Sequence, residues 1–446
     1  MREISDTTLI FSPKNLVFKK ANDYFVVLNP DIPNFMVVDD VGKSVFELCD
    51  GTCTLPRILK CINDKYPSQE TRREELAEFI SSLAKAGLLY IDSSPPQTDV
   101  VKWEKLHQLY LHLTHECNLR CKHCYANADL PLKNEMTTPE YIRLIREFVE
   151  LGGEQLILTG GEPFLRRSLL YQILPVAKDY GLKTFVESNG TLITRNDAAF
   201  CKKHDAKVGV SLDGVNKNSH QYIRGAGTFN RSVESIKILA QNGVRTTIGM
   251  TLMSHNVEEA KKMVLLAEKL GAAAVSYSVL RVTGRSKKNP ELAVPIEKLV
   301  SAFREARKTG IEVGVKTGLE DIFSEAEGLQ KRSSCGVGVG LISVASDGNV
   351  YPCNMFQAEG MQVGNVKEQS LGKIWKSDAL KVFREFTVLD IPECRECELR
   401  FMCSNCPGDS YSAYKNIKKP SPLCSLYKAL YWDIITGLAF DLWKKA

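Results

Sequence analysis

Residues 108–125 read QLYLHLTHECNLRCKHCY, and this stretch decides how the chain is organised. Its first half is an apolar strand candidate. Its second half places Cys117, Cys121 and Cys124 in the loop that follows. Thiolates are soft ligands suited to iron–sulfur clusters or zinc. Three thiolates in one loop can wrap a cubic four-iron cluster and leave one iron open. A structural zinc completed by His115 or His123 is the competing reading of the same residues. His123 is expected to face solvent or to pack.

From this strand the pattern repeats. Strands are expected at 108–114, 155–159, 183–187, 207–212, 245–250 and 273–279. Helices are expected near 138–150, 167–180, 194–204, 229–241, 257–269 and 295–309. Strand–helix units at this spacing imply an α/β chain with a parallel sheet, either an incomplete barrel or a doubly wound sheet. In both, ligands meet the C-terminal ends of the strands. Polar, Gly-rich segments fall there: CNLRCKHC, then TGGEP (159–163), ESNGT (187–191) and SLDG (211–214). Their coincidence predicts one central site.

The flanks differ. Residues 1–95 contain three strand-like runs, LVFKK, YFVVLNP and FMVVDD, then helical spacing and a final strand, an order that suggests a winged-helix unit. Residues 92–99, rich in Ser and Pro, read as a linker. VGLISVASDGNVYPC (339–353) reads as a hairpin around Asp347-Gly348. Cysteines then arrive in close pairs: with Cys335 and Cys353 come Cys394, Cys397, Cys403, Cys406 and Cys424. Such a region builds little apolar core, so clusters are expected to hold it together. Cys49, Cys53, Cys61 and Cys201 lie on or beside helix-like segments and read as small buried hydrophobes.

The chain has 446 residues, enough for two or three domains with cores. A net charge of +5 without a Lys/Arg block argues for no nucleic-acid partner. No secretory signal pattern and no long uncharged apolar run is evident, so a cytoplasmic protein without stable membrane insertion is expected. Cysteines in such a compartment favour metal ligation over disulfides. The apolar segment LYKALYWDIITGLAFDLWKK (426–445) reads as a helix docked on the core, with a membrane-surface or dimer face as the alternative.

CNLRCKHCY resembles the C-x3-C-x2-C signature of the radical S-adenosylmethionine (SAM) superfamily, and further motifs recur in register over about 105–310. The resemblance implies a partial (β/α)6 TIM-barrel core and SAM as cofactor. It implies that Cys117, Cys121 and Cys124 hold the catalytic [4Fe–4S] cluster. Gly160, Gly161 and Glu162 would meet the methionine amino group, and Arg224 its carboxylate. Ser188 and Asn189 would lie near the cofactor, Ser211 and Asp213 near the ribose, and Tyr125 beside the adenine. Bland readings stand beside these: Glu162 as a helix cap, Gly190 as a turn, Asp213 as an Asx-turn residue, Arg224 as a surface pair.

The later cysteines resemble the SPASM extension, a C-terminal domain with two auxiliary clusters. That resemblance implies ligation of the outer cluster by Cys394, Cys397, Cys403 and Cys424, and of the inner by Cys335, Cys353 and Cys406. CSNC leaves two residues between the fifth and sixth cysteines, where the family commonly has three. The inner set lacks a fourth cysteine; an open iron, or a ligand such as Glu325, Glu327 or Gln330, would complete it. Residues 1–95 resemble the PqqD-like peptide-recognition domain of peptide maturases. The expected organisation is thus 1–95 peptide recognition, 105–310 barrel, 311–332 linker, 333–428 SPASM, and 429–446 a terminal helix.

Together these resemblances imply an enzyme holding three [4Fe–4S] clusters. Through a 5'-deoxyadenosyl radical it would oxidatively modify a ribosomally made precursor peptide, by a thioether or C–C crosslink. The leader would bind the N-terminal domain, and a flavodoxin or ferredoxin would supply electrons. The alternative is a radical SAM enzyme of tetrapyrrole (haem) biosynthesis; sulfatase-type Cys or Ser oxidation and a non-catalytic carrier are further readings.

Overall fold

The computed structural model describes residues 4–92, 103–318 and 333–443. The linker expected at 92–99 falls almost wholly outside them, as do Glu325, Glu327 and Gln330.

The N-terminal unit contains β1 (Leu9–Phe11), β2 (Val17–Ala21), β3 (Tyr24–Asn29), β4 (Asn34–Val38), α1 (Asp40–Leu48), β5 (Asp50–Thr54), α2 (Leu55–Lys65), α3 (Arg73–Lys85) and β6 (Tyr90–Ile91). Strands β2, β3 and β4 form an antiparallel meander, while β1 sits between β5 and β6 in a second small sheet. Sequence patterning missed β1 and β5: β1 is three residues long, and β5 (DGTCT) carries little β-forming apolar content. Cys49 and Cys53 are buried in this unit's core, as expected of small hydrophobes, while Cys61 is half-buried.

The central unit alternates β7 (Gln108–His112), α4 (Thr138–Glu150), β8 (Gln155–Thr159), α5 (Arg167–Asp179), β9 (Lys183–Ser188), α6 (Arg195–Lys203), β10 (Lys207–Ser211), α7 (Lys217–Arg224), α8 (Thr228–Gln241), β11 (Thr246–Leu252), α9 (Ala260–Leu270), β12 (Ala274–Val279) and α10 (Ile296–Val313). Strands β7 to β12 run parallel and in order, a partial (β/α)6 barrel. The helices start where the sequence supplies caps. Thr137 and Glu140 form a reciprocal capping box at α4, and Thr194 and Asp197 do the same at α6. Leu109, Leu111, Leu156, Leu158, Val186, Val208 and Val210 face the helices and are buried. On β10 to β12 many inward positions are small or polar, among them Gly209, Ser211, Thr247, Gly249, Ser276 and Ser278, while Tyr110, Ile157 and Phe185 line the β7–β9 side. Closed barrels fill this space with bulky branched side chains; here it stays open.

The C-terminal unit has β13 (Leu341–Val344), β14 (Asn349–Tyr351), α11 (Asn354–Ala358), β15 (Gly364–Asn365), α12 (Leu371–Trp375), α13 (Lys381–Glu385), α14 (Pro392–Arg395), α15 (Pro407–Tyr414) and α16 (Cys424–Trp443). The expected hairpin is present, with Val344 opposite Val350. Patterning did not show that β13 pairs parallel with β7, Leu341 beside Gln108, so the hairpin continues the barrel sheet. A small core of Val337, Phe356, Leu380, Phe383, Phe386, Ile391 and Ile417 supports the cysteine-rich loops. Helix α16 docks as expected: Leu426 and Leu430 join the barrel core, and Trp432 and Ile435 pack with Val26 and Leu28 of the N-terminal sheet. Among the described residues no helix is long and apolar enough to cross a membrane.

Candidate active site

The cysteine loop leaves β7 and is pinned from several sides. Cys117 N–H donates to Asp129 O at 2.9 Å and Lys122 N–H to Ile223 O at 3.1 Å. Arg285 braces it from beneath: Nε donates to Cys121 O and Nη1 to Ala128 O, both at 2.9 Å, and its backbone N–H reaches Cys124 O at 3.0 Å. Gly284 precedes it at φ +56°, where an added Cβ would lie 2.4 Å from the carbonyl oxygens of Cys124 and Tyr125. Patterning missed this brace because GRSKK (284–288) reads as a plain basic loop.

The thiols fall into three sets. Cys117 feels Cys121 and Cys124. Cys394 feels Cys403, Cys424 and Cys397, while Cys335, Cys353 and Cys406 influence one another. Burial pushes Cys117 up to about 11 and Cys335, Cys353 and Cys406 up to about 12. Buried thiols of this kind ionise when a metal centre takes them as ligands. Among the described residues no three His, Cys, Asp or Glu converge as a single-ion site. His123 does not serve one: it is largely buried rather than solvent-facing, and its Nε2 lies 3.3 Å from Asp213 Oδ2.

The GGEP turn approaches the cysteine loop backbone to backbone. Gly161 N–H donates to Thr114 O at 2.7 Å and Glu162 N–H to Glu116 O at 2.8 Å. Gly160 sits at φ +139°, and a Cβ on Gly161 would lie 2.0 Å from Glu116 O, so only glycine fits. Glu162 is fully buried and turned into the protein. Its carboxylate accepts from Ser188 Oγ at 2.7 Å, Asn189 N–H at 2.8 Å and Phe164 N–H at 3.2 Å. It caps the short 3-10 turn Pro163–Arg166 and ties that turn to the loop after β9. Burial raises its pKa and these donors oppose the rise. The residue holds the turn rather than lining the cavity, so the part of GGEP that faces the site is Gly160 and Gly161.

Asp213 is likewise not on the cavity wall. Its Oδ1 accepts from Thr251 N–H at 2.8 Å and its Oδ2 from Arg224 Nε at 2.7 Å. Burial would raise this carboxyl, but Arg224 and then His123 outweigh it, and the net direction is down. It is therefore an ionised anchor rather than an Asx-turn residue. Arg224 is no surface pair: its side chain is 10% exposed, and Nη1 lies 4.0 Å from Cys121 Sγ. Asn189 reaches the same loop from the other side, with Nδ2 2.9 Å from Asn118 Oδ1 and 4.0 Å from Cys117 Sγ.

These groups open on one chamber of about 980 Å³ inside the barrel. Cys117, Cys121, Cys124, Tyr125, Gly160, Gly161, Ser188, Asn189, Ser211 and Arg224 line it. So does Cys353 of the C-terminal unit, so one space reaches from the cysteine loop to the C-terminal cysteines.

A sequence profile of the Radical SAM superfamily matches residues 111–267, one of an iron-sulfur cluster-binding domain (SPASM) matches 335–398, and one of coenzyme PQQ synthesis protein D matches 24–89. The chain is 30% identical over 345 residues to an AdoMet-dependent heme synthase of Methanosarcina barkeri, covering 70% of this chain and 94% of that one. The chain belongs to the radical SAM superfamily. This radical SAM enzyme is also 26% identical over 402 residues to the antilisterial bacteriocin subtilosin biosynthesis protein AlbA of Bacillus subtilis, covering 85% of this chain and 86% of that one. In fold it resembles Streptococcus suis SuiB bound to S-adenosylmethionine, with TM-score 0.59 at 15% identity over 93% of this chain and 99% of that one.

The residues present fit the cofactors of this superfamily. Three thiols face the chamber beside an anchored guanidinium suited to a carboxylate, and two glycines leave backbone edges open to a zwitterion. SAM with a reduced iron–sulfur cluster supplies the means to remove a hydrogen atom from an unactivated C–H bond. The protein contributes the rest. Asp213 fixes the direction of Arg224, and the glycine turn and Arg285 fix the loop.

Proposed function

We propose that this radical SAM enzyme modifies a ribosomally made precursor peptide, joining two of its residues through a thioether or C–C bond. The carrying observation is the PqqD-type unit at 24–89 together with its sheet. Among the described residues β2 and β4 are edge strands of that meander, and such an edge can accept an extended leader by strand addition. The subtilosin biosynthesis protein, a bacteriocin-pathway relative, aligns over 85% of this chain. Three four-iron clusters, one in each cysteine set, complete the proposed enzyme, and a flavodoxin or ferredoxin serves as reductant.

Tetrapyrrole chemistry is the second reading, favoured by the 30% identity to the heme synthase. The test is anaerobic incubation of the reconstituted enzyme with SAM, dithionite and a short peptide encoded beside its gene. A mass deficit of one hydrogen pair per linkage supports the peptide reading. Decarboxylation of iron-coproporphyrin with an unchanged peptide supports the second.

A further inference from the structure

Glu187 stands apart from the other charged groups of the chamber. It occupies the end of β9 directly beside Gly209 of β10 and faces inward with Phe185. Gly209 makes room for it: a Cβ there would lie 2.3 Å from Glu187 Oε2. Among the described chamber-lining residues it is the sole carboxylate. The arginines of the same wall are engaged, Arg224 by Asp213, Arg281 by Asp409 and Tyr427, and Arg285 by backbone carbonyls. Glu187 has no such partner among the described residues. Burial alone acts on its carboxyl, pushing its pKa up. Its side chain is exposed, but to the chamber.

A carboxylate that faces a chamber with no protein donor is left to water or a ligand, and a ligand that supplies an N–H or O–H matches it better than one that does not. The cofactor end of the chamber lies by Cys117, Cys121 and Arg224. Glu187 acts on both Tyr110 and Tyr125, and both also feel Cys353 of the C-terminal cysteine set. Tyr110 and Tyr125, whose phenols burial keeps protonated, are its neutral neighbours.

We propose that Glu187 is a substrate-binding residue of this chamber, its carboxylate receiving an N–H, O–H or ammonium donor of the peptide segment to be modified. It thereby disfavours a substrate carboxylate at the same place. This rests on the reading that the chamber admits a peptide. Where the substrate donor is acidic enough, Glu187 Oε also accepts its proton: the donor X–H bond breaks and an O–H bond forms, with no change in oxidation state.

The test uses the holoenzyme, a water-soluble carbodiimide and glycinamide, with peptide mapping by mass spectrometry to read coupling at Glu187. Two probes of similar size are compared, N-methylpropanamide, which has an N–H, and N,N-dimethylpropanamide, which has none. The expected result is protection of Glu187 by the first and not by the second, with SAM alone giving no protection. Equal effects of the two amides, or full protection by SAM alone, overturn the proposal. A second arm measures peptide modification by Glu187→Gln at wild-type iron content. Its KM for peptide should rise about tenfold, the worth of one charge-assisted hydrogen bond, with Glu187→Asp intermediate. Unchanged KM and kcat overturn the role of Glu187 while leaving peptide modification intact. If the wild type modifies no peptide, the function reading fails and the amide probes still decide Glu187.

Discussion

Asp213 Oδ2 lies 2.7 Å from Arg224 Nε, and the far end of the same guanidinium lies 4.0 Å from Cys121 Sγ. One buried ion pair thus sets where positive charge stands beside the cysteine loop. Replacing Asp213 by Asn keeps the shape and removes the charge, leaving Arg224 buried and unpaired. Breaking a buried pair in this way costs about 3–5 kcal/mol. Asp213→Asn is expected to lower thermal stability by that order and to weaken SAM binding more than about tenfold. Thermal melts and calorimetric titration of SAM check both; wild-type values in each would contradict the anchoring role.

Two buried histidines away from the cysteines give stability a pH dependence of known sign. Burial lowers His112 and His220 to about 4 from an ordinary value near 6.5. Between those values the unfolded chain binds more protons than the folded one, so stability falls as pH drops from 6.5 towards 4. Each site contributes up to about 3 kcal/mol across that window. His220→Gln should flatten the fall, as followed by thermal melts from pH 7 down to 5. An identical slope in the variant would contradict this.

The barrel was legible because its signals are local and repeated. Apolar strands ending in CNLRCKHC, TGGEP, ESNGT and SLDG mark both the sheet and its functional end. Side-chain direction was not legible. Glu162 and Asp213 sit in the expected loops, yet both carboxylates turn into the protein to hold neighbours, leaving glycine backbone and Arg224 to face the chamber. Arg285 reaches the cysteine loop across a separation of 164 positions from Cys121, and no periodicity encodes such a contact. Nor does the sequence of β13 show that it joins β7.

Gly161 tolerates no side chain. A Cβ would lie 2.0 Å from Glu116 O, and backbone meets backbone there, so no rotamer relieves the clash. Gly161→Ala is expected to displace the GGEP turn and to reduce SAM binding by at least about a hundredfold, a loss near 3 kcal/mol. Equilibrium binding to the reconstituted protein measures it. Gly181→Ala, where nothing lies within 4 Å but φ is +69°, is the control and should cost only stability.

Arg285 holds the cysteine loop through carbonyls rather than through the thiols. Arg285→Ala removes the bonds to Cys121 O and Ala128 O and leaves those carbonyls without that donor. Net loss is about 1.5–3 kcal/mol per charged hydrogen bond. The expected outcome is faster loss of iron to a chelator from the first cysteine set alone, followed by absorbance and iron content. Wild-type retention would show that the loop stands without this brace.

The most direct measurement follows deuterium from substrate to product. A synthetic precursor peptide deuterated at its carbon-bound positions, Cα included, is turned over anaerobically with SAM and dithionite, and both the peptide and the 5'-deoxyadenosine are analysed by mass spectrometry. The expected result is deuterium in 5'-deoxyadenosine and, per linkage, a peptide that has lost one deuterium and the thiol hydrogen for a thioether or two deuterium atoms for a C–C bond. Unlabelled 5'-deoxyadenosine with a peptide of unchanged mass would contradict it.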